Sequence, residues 1–123
     1  MILRQSFDLK QIEQGIPAAR ARELEAFGLT RDDIRTIIPD RTLDRRISAR
    51  QNLTLDEADG IARLLRVVEA ARQLFESNER ADHWLRSANP ALDGAIPIRL
   101  ARTDVGGRAV EQVLGRLEYG IYS

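Results

Sequence analysis

Apolar residues recur every three to four positions along most of the chain, and sustained strand-like alternation is absent, so the sequence predicts an all-α fold. Residues 1–14 carry Ile2, Leu3, Phe7, Leu9 and Ile12 without a helical stripe and read as an arm or a short extended segment. Gly15-Ile16-Pro17 opens a helix, with Pro17 in the first helical position, where no amide donor is needed. Leu24 and Phe27 share its inner face, and Gly28 is the expected left-handed stop. Thr30 is an N-cap, followed by Asp32 and Asp33 at the positive end of the next helix. That helix carries Ile34, Ile37 and Ile38 and must end before Pro39. Asp40 then caps a third helix running to about Arg50, with Leu43 and Ile47 turned inward.

Thr54-Leu-Asp-Glu57 is a capping box, in which the threonine hydroxyl and the glutamate carboxylate each satisfy a free backbone donor. The longest helix follows, with Ala58, Ile61, Leu64, Leu65, Val68, Ala71, Leu74 and Phe75 as its apolar stripe. Ser77-Asn78 breaks it, and a short helix from Glu79 to Arg86 turns Trp84 and Leu85 inward. Asn89-Pro90 and Gly94 mark a loop, Pro97 starts a short helix, and Thr103 caps the last one. Val105, Ala109, Val113, Leu114 and Leu117 form the expected buried face of that last helix, and Gly120 its end. The organisation read from these signals is an arm (1–14), a helix-turn-helix-like unit (15–53), and a long helix with a C-terminal helical region (54–123).

The chain has 123 residues, 43% of them hydrophobic, and equal numbers of basic and acidic side chains, 19 each. That composition belongs to a folded domain rather than a disordered segment. Cysteine is absent, which removes thiol catalysis, disulfides and cysteine-ligated metals. No apolar run approaches the length of a membrane span and the N-terminus lacks the order of a signal peptide, so the expected location is the cytoplasm, with no membrane partner. His83 is the single histidine and sits between Asp82 and Trp84, where sequence neighbours diverge on a helix. Gly106-Gly107 lacks the preceding strand of a nucleotide loop and fits close helix packing better. No catalytic residue, metal site or cofactor is therefore expected.

The basic residues are eighteen arginines and one lysine, Lys10. Their clearest concentration is Arg41-Thr-Leu-Asp-Arg-Arg-Ile-Ser-Ala-Arg50, the second helix of a helix-turn-helix pattern. With Leu43 and Ile47 buried, Arg41, Thr42, Arg45, Arg46 and Arg50 remain for phosphates and base edges. The same pattern also fits the solvated face of an ordinary bundle helix. Asp40 and Asp44 set two negative charges beside the arginines, so useful affinity would require a dimer on two half-sites.

The most specific signal lies in residues 79–120. Ala81-Asp-His-Trp-Leu-Arg86, Asn89-Pro-Ala-Leu-Asp-Gly94, Pro97, Leu100, Thr103, Gly107, Val110 and Leu114-Gly-Arg-Leu-Glu-Tyr-Gly120 occur in an order that resembles the Xre/MbcA/ParS-type antitoxins. Upstream, Arg41-Thr-Leu-Asp-Arg-Arg46 and the long helix from Leu53 are similar to the N-terminal region of that family, so the resemblance covers about residues 15–123. It implies a non-enzymatic antitoxin encoded beside a RES-domain toxin that consumes NAD or ADP-ribosylates a target. The antitoxin would cover the toxin's active-site cleft, and the complex would bind operator DNA and repress its own promoter; a homodimer is expected because operators read by helix-turn-helix motifs are usually two-fold. Two places depart from the family pattern. Pro39-Asp40 stands where a small residue and serine usually begin the recognition helix, and Asp59-Gly60-Ile61 stands where an aspartate–arginine pair is common. The glycine is expected mainly to weaken the helix locally.

Within the C-terminal region, Trp84, Leu85, Pro90, Leu92, Gly94, Pro97, Leu100, Val110 and Leu114 are expected to maintain the fold. Gly94 and Gly120 are expected to supply backbone angles that other residues resist. Arg116, Glu118, Tyr119, Gly120, Ile121, Tyr122 and Ser123 are the expected toxin-binding residues, because two tyrosines and an isoleucine make a costly free tail and good interface anchors. The same segment also fits against the chain's own bundle. Two other functions remain open from the sequence: a stand-alone dimeric helix-turn-helix regulator, and a helical scaffold.

Overall fold

The computed structural model describes the backbone of residues 9–122 and the side chains of residues 10–120. The chain divides into two compact units, Met1–Leu65 and Arg66–Ser123, with the division inside the longest helix. All regular structure among the described residues is helical, apart from two isolated bridges. None of these helices is long and apolar enough to cross a membrane.

In the first unit, α1 (Leu9–Gln14) is a helix where the sequence suggested an arm. A 3-10 helix follows, Ala18–Phe27, preceded by Pro17 as its N-cap rather than as its first residue. Its buried residues, Ala18, Ala21 and Leu24, fall every third position, the period at which a 3-10 turn repeats its face. Gly28 ends it in the left-handed region at φ 95°. Next come α2 (Arg31–Arg35) and α3 (Asp40–Ser48). Thr30 caps α2 as expected: its hydroxyl accepts from the Asp33 amide at 3.1 Å, and the Asp33 carboxylate accepts from the Thr30 amide at 2.9 Å. Asp40 does not cap α3. It is the first helical residue, and Pro39 is the N-cap, which makes no side-chain cap hydrogen bond.

The entrance to the 3-10 helix is tied to the exit of α3. Pro17 and Asn52 form an antiparallel bridge, the Ala18 amide donates to the Gln51 carbonyl at 3.0 Å, and the Leu53 amide donates to the Ile16 carbonyl at 2.8 Å. Ile16, Leu24, Leu29, Ile38, Leu43, Ile61 and Leu64 make the core of this unit. The last two come from α4 (Leu55–Leu74), which begins at the predicted capping box. Gly60 is not simply a weak point in α4. A methyl group there would meet Ile37 Cγ2 at 2.8 Å, so the missing side chain makes room for the residues that follow α2.

In the second unit, the rest of α4 packs with α5 (Asn78–Leu85), a 3-10 turn (Pro90–Leu92), α6 (Pro97–Leu100) and α7 (Asp104–Tyr122). Val67, Val68, Ala71, Ala81, Leu85, Ile98, Ala101, Val110, Val113 and Leu114 form its core. Leu85, Pro97, Val110 and Leu114 are therefore buried as expected, but Trp84, Leu92 and Leu100 are only half-buried, and Pro90 and Gly94 are exposed. Pro90 and Gly94 act through backbone geometry: Pro90 begins the 3-10 turn capped by the Asn89 side chain, and Gly94 sits at φ 85°. Gly120 does neither. α7 continues through it to Tyr122 with no positive φ, so the predicted stop is wrong.

Two apolar residues of α7 that the sequence predicts as buried are exposed. Val105 is 78% exposed and Leu117 is 41% exposed. Steps of four residues on an α-helix advance about 40° beyond a full turn. Val105, five residues from the buried Val110, thus falls about 140° off the buried face, whereas Leu117, seven residues from Val110, stays on that face and is bare because the cover has ended.

Candidate partner-binding surfaces

The anchoring of α7 begins at its N-terminus. Thr103 Oγ1 accepts from the Gly106 amide at 3.0 Å, the predicted cap. Gly106 is packed against the last turn of α6, where a methyl group would lie 1.9 Å from the Leu100 carbonyl oxygen. Further along, Arg66 Nε donates to Glu111 Oε1 at 2.6 Å, joining the second half of α4 to the middle of α7. Val110, Val113 and Leu114 then complete the buried face.

Beyond Leu114 the burial stops. Every described side chain from Gly115 to Gly120 is exposed, including Tyr119 at 76%. Gln112, Gly115, Arg116 and Tyr119 repeat at helical spacing and, with Gly120, line an open concavity of about 500 Å³. Of the expected toxin-binding residues, Arg116, Tyr119 and Gly120 are brought together. Glu118, exposed too, falls off that face because it is one residue from Tyr119 and two from Arg116. Ile121 and Tyr122 continue the helix, and Ser123 lies outside the described residues. Gln112 and Gly115 were not anticipated. Their spacing of four residues from Arg116 and from Tyr119 was the available signal.

A second depression of about 590 Å³ lies at the end of α5, walled by Phe75, Trp84 and Pro90 and edged by Glu79, Arg80 and His83. The Phe75 and Trp84 rings pack at 5.8 Å with a 39° tilt. Asp82 holds α5 in place here: both its carboxylate oxygens accept from Arg72 Nη2 of α4, at 3.2 and 3.1 Å. His83 is exposed and helps edge the depression.

The arginine-rich helix α3 resolves the mixture of signs seen in the sequence. Asp40 accepts from Arg35 Nε at 2.9 Å and lies 3.6 Å from Arg31. Its hydrogen bond from Arg35, then the charges of Arg35 and Arg31, hold its carboxyl below the usual carboxylate range against the opposing effect of desolvation. The same hydrogen bond and charge raise Arg35 above its ordinary value. Asp44 pairs with Arg22. Both acids on α3 are thus answered by arginines from outside it.

Among its basic residues, Arg46 does not stand free: its Nη2 donates to Glu57 Oε2 at 3.0 Å. Arg41 and Arg45, four residues apart on one face, are exposed and have no ion-pair or hydrogen-bond partner among the described residues, and Thr42 is half-buried. Arg50 is also exposed, but it lies past the end of α3 at φ 53°. There it forms the left-handed position of a Schellman ending: the Gln51 amide donates to the Arg46 carbonyl at 2.8 Å and the Arg50 amide to the Ile47 carbonyl at 3.0 Å.

Residues 70–120 match the family described as the antitoxin Xre/MbcA/ParS C-terminal toxin-binding domain. The matched segment holds the second unit from the end of α4 through the exposed turns of α7. Over 118 residues, 91% of its length, the chain is 30% identical to Antitoxin Xre of Photorhabdus laumondii subsp. laumondii, and it covers 78% of that protein. It is 36% identical over 89 residues to Antitoxin Xre of Yersinia enterocolitica, a match covering 72% of the chain and 60% of the relative. To Antitoxin Xre of Pseudomonas putida it is 33% identical over 84 residues, 68% of the chain and 53% of the relative. The chain thus spans between about half and four fifths of the curated relatives it matches. With a relative matched over nearly the whole chain and the toxin-binding segment matched separately, the chain belongs to the Xre/MbcA/ParS family of antitoxins.

Proposed function

We propose that this protein is the antitoxin of a toxin–antitoxin pair whose toxin carries a RES domain, and that it acts by occlusion rather than by chemistry. The observation that carries this reading is the bare end of α7 within the family's toxin-binding segment: exposed side chains on every face from Gly115 to Gly120, with Arg116 and Tyr119 together. An exposed tyrosine beside an arginine is the kind of stiff, amphipathic pair that anchors protein interfaces. In this reading, the last turns of α7 cover the mouth of the toxin's NAD-binding cleft, and Tyr119 to Ser123 reach furthest into it.

A second activity uses α3. Arg41 and Arg45, with Arg50 at the helix end, present three guanidiniums that have no partner among the described residues to the phosphates and base edges of operator DNA, and Thr42 adds a hydroxyl in the first turn. Two copies on a two-fold operator supply the affinity one copy lacks, and the bound complex represses its own promoter.

Deleting residues 119–123 and titrating the product against the co-encoded toxin tests the first activity. Neutralisation is expected to be lost while the helical circular dichroism signal is kept; full neutralisation by the shortened chain excludes the reading. Arg41→Ala with Arg45→Ala tests the second: retardation of promoter DNA is expected to disappear while neutralisation persists.

A further inference from the structure

We propose that Arg46 is a positioning residue for DNA binding, acting through Glu57 to fix the angle of α3, and not itself a contact to DNA. The inference rests on the DNA-binding reading of α3. It assigns Arg46 a different part from its neighbours Arg41 and Arg45.

The geometry centres on the carboxylate of Glu57, whose two oxygens have separate tasks. Oε1 accepts from the Thr54 amide at 2.8 Å, while the Thr54 hydroxyl accepts from the Glu57 amide at 3.1 Å, which closes the capping box of α4. Oε2 accepts from Arg46 Nη2 at 3.0 Å. One carboxylate therefore caps the 20-residue helix α4 and grips the last turn of α3.

The pair is sheltered, with the Arg46 side chain 21% exposed and that of Glu57 14%. Arg46 Nε is buried without a hydrogen-bond partner among the described residues, so this guanidinium is committed inward rather than to solvent or to a ligand in front of α3. A charge-assisted bond in such surroundings is stronger and more directional than a surface ion pair. A duplex drawing Arg46 outward would have to break it.

The other polar ties on α3 leave Arg46 as its brace to α4. Asp40 is held by Arg35 and Arg31, and Asp44 by Arg22, all from elements that precede α3 in the chain. Leu43 is fully buried, but Ile47 is only half-buried, so the C-terminal half of α3 has less apolar anchorage than its first turn. A helix held at one end by a buried leucine and at the other by a carboxylate presents Arg41 and Arg45 at a fixed tilt. Losing the second hold lets the pair swing out of register with the phosphates.

The full-length chain, titrated with the duplex lying upstream of its own reading frame, distinguishes a brace from a contact. Arg46→Met and Glu57→Gln are each expected to lower affinity about tenfold, and the double variant to lower it no further, because both break one link. Glutamine keeps the capping box acceptor, so α4 retains its start. The slope of log affinity against log salt is expected to stay unchanged in Arg46→Met, whereas Arg45→Ala reduces it by about one.

A slope that falls by about one in Arg46→Met, with affinity unchanged or improved in Glu57→Gln, overturns the proposal. If the wild-type chain retards neither this duplex nor a scrambled one, the DNA reading itself fails. The brace is then judged by melting temperature alone: non-additive losses in the two variants sustain it, and additive losses end it.

Discussion

Gly106 packs so closely beneath α6 that a single methyl group on it would come within 1.9 Å of the Leu100 carbonyl oxygen. That contact is backbone against backbone, so no side-chain rotation relieves it. Together with the Thr103 cap it sets where α7 starts, and hence where Arg116 and Tyr119 end up about 15–20 Å further along, at a rise of about 1.5 Å per residue.

Gly106→Ala is therefore expected to destabilise the chain by about 1–3 kcal/mol or more, the range for forced overpacking. Urea unfolding followed by circular dichroism measures this. Because α7 must shift, toxin neutralisation is expected to weaken in parallel. An alanine variant as stable as the wild type shows that α6 and α7 separate freely.

Residues on the bare end of α7 should behave in the opposite way. Arg116→Ala and Tyr119→Ala are expected to change unfolding free energy by no more than about 0.5 kcal/mol, as exposed side chains usually do. Their affinity for the toxin is expected to fall at least tenfold by calorimetric titration. Leu85→Ala, at a fully buried site, is the control with the reverse profile: a stability loss of about 2–5 kcal/mol.

Arg50 occupies a left-handed conformation that glycine adopts without a Cβ clash. Arg50→Gly is expected to stabilise the chain by about 1 kcal/mol, since strain of this kind costs about 1–3 kcal/mol and glycine returns part of that as unfolded-state entropy. The same change removes one exposed guanidinium and is expected to lower the salt slope of DNA binding by about one. Thermal melting and filter binding on one preparation report both effects. A less stable glycine variant contradicts the strain argument.

Acidification should loosen the corner between α2 and α3. The Asp40 carboxyl is depressed chiefly by its hydrogen bond from Arg35, so it binds a proton less readily folded than unfolded. Its contribution is complete above the unfolded value of about 3.9 and is lost as pH falls through the lower folded value. Carboxyl chemical shifts followed by NMR are expected to place the Asp40 midpoint below those of exposed aspartates. Asp40→Asn is expected to flatten the pH dependence of stability in that acid window. The pair is partly exposed, so added salt should shrink the effect.

Helix starts and stops could be read largely from the sequence because they are local chemistry. Thr30, Thr54, Ser77 and Thr103 each cap through their own hydroxyl, and Gly28 and Gly94 take positive φ, all within a few residues of the structure they define. The family resemblance was legible for a similar reason: its motif is a fixed order of such residues. Gly120 misled because a glycine permits a helix to end without requiring it, and α7 simply runs on.

Only the tertiary structure decided which charges remain available. Asp40 and Asp44 look in sequence like rivals of the arginines on α3, and Glu57 like a cap alone, yet Arg35 is five residues from Asp40, Arg22 is 22 from Asp44 and Arg46 is 11 from Glu57. Pairings across such separations depend on how helices pack, which no local pattern encodes. The same holds for Gly60 and Gly106, whose missing side chains matter through Ile37 and Leu100, and for α7, where periodicity marked an inner face but not the turn at which cover stops. The sequence by itself determined helical segments and family, because these follow from propensity, capping and ordered motifs. Packing determined which arginines are engaged and which turns of α7 are bare, because burial and charge pairing belong to the folded chain as a whole.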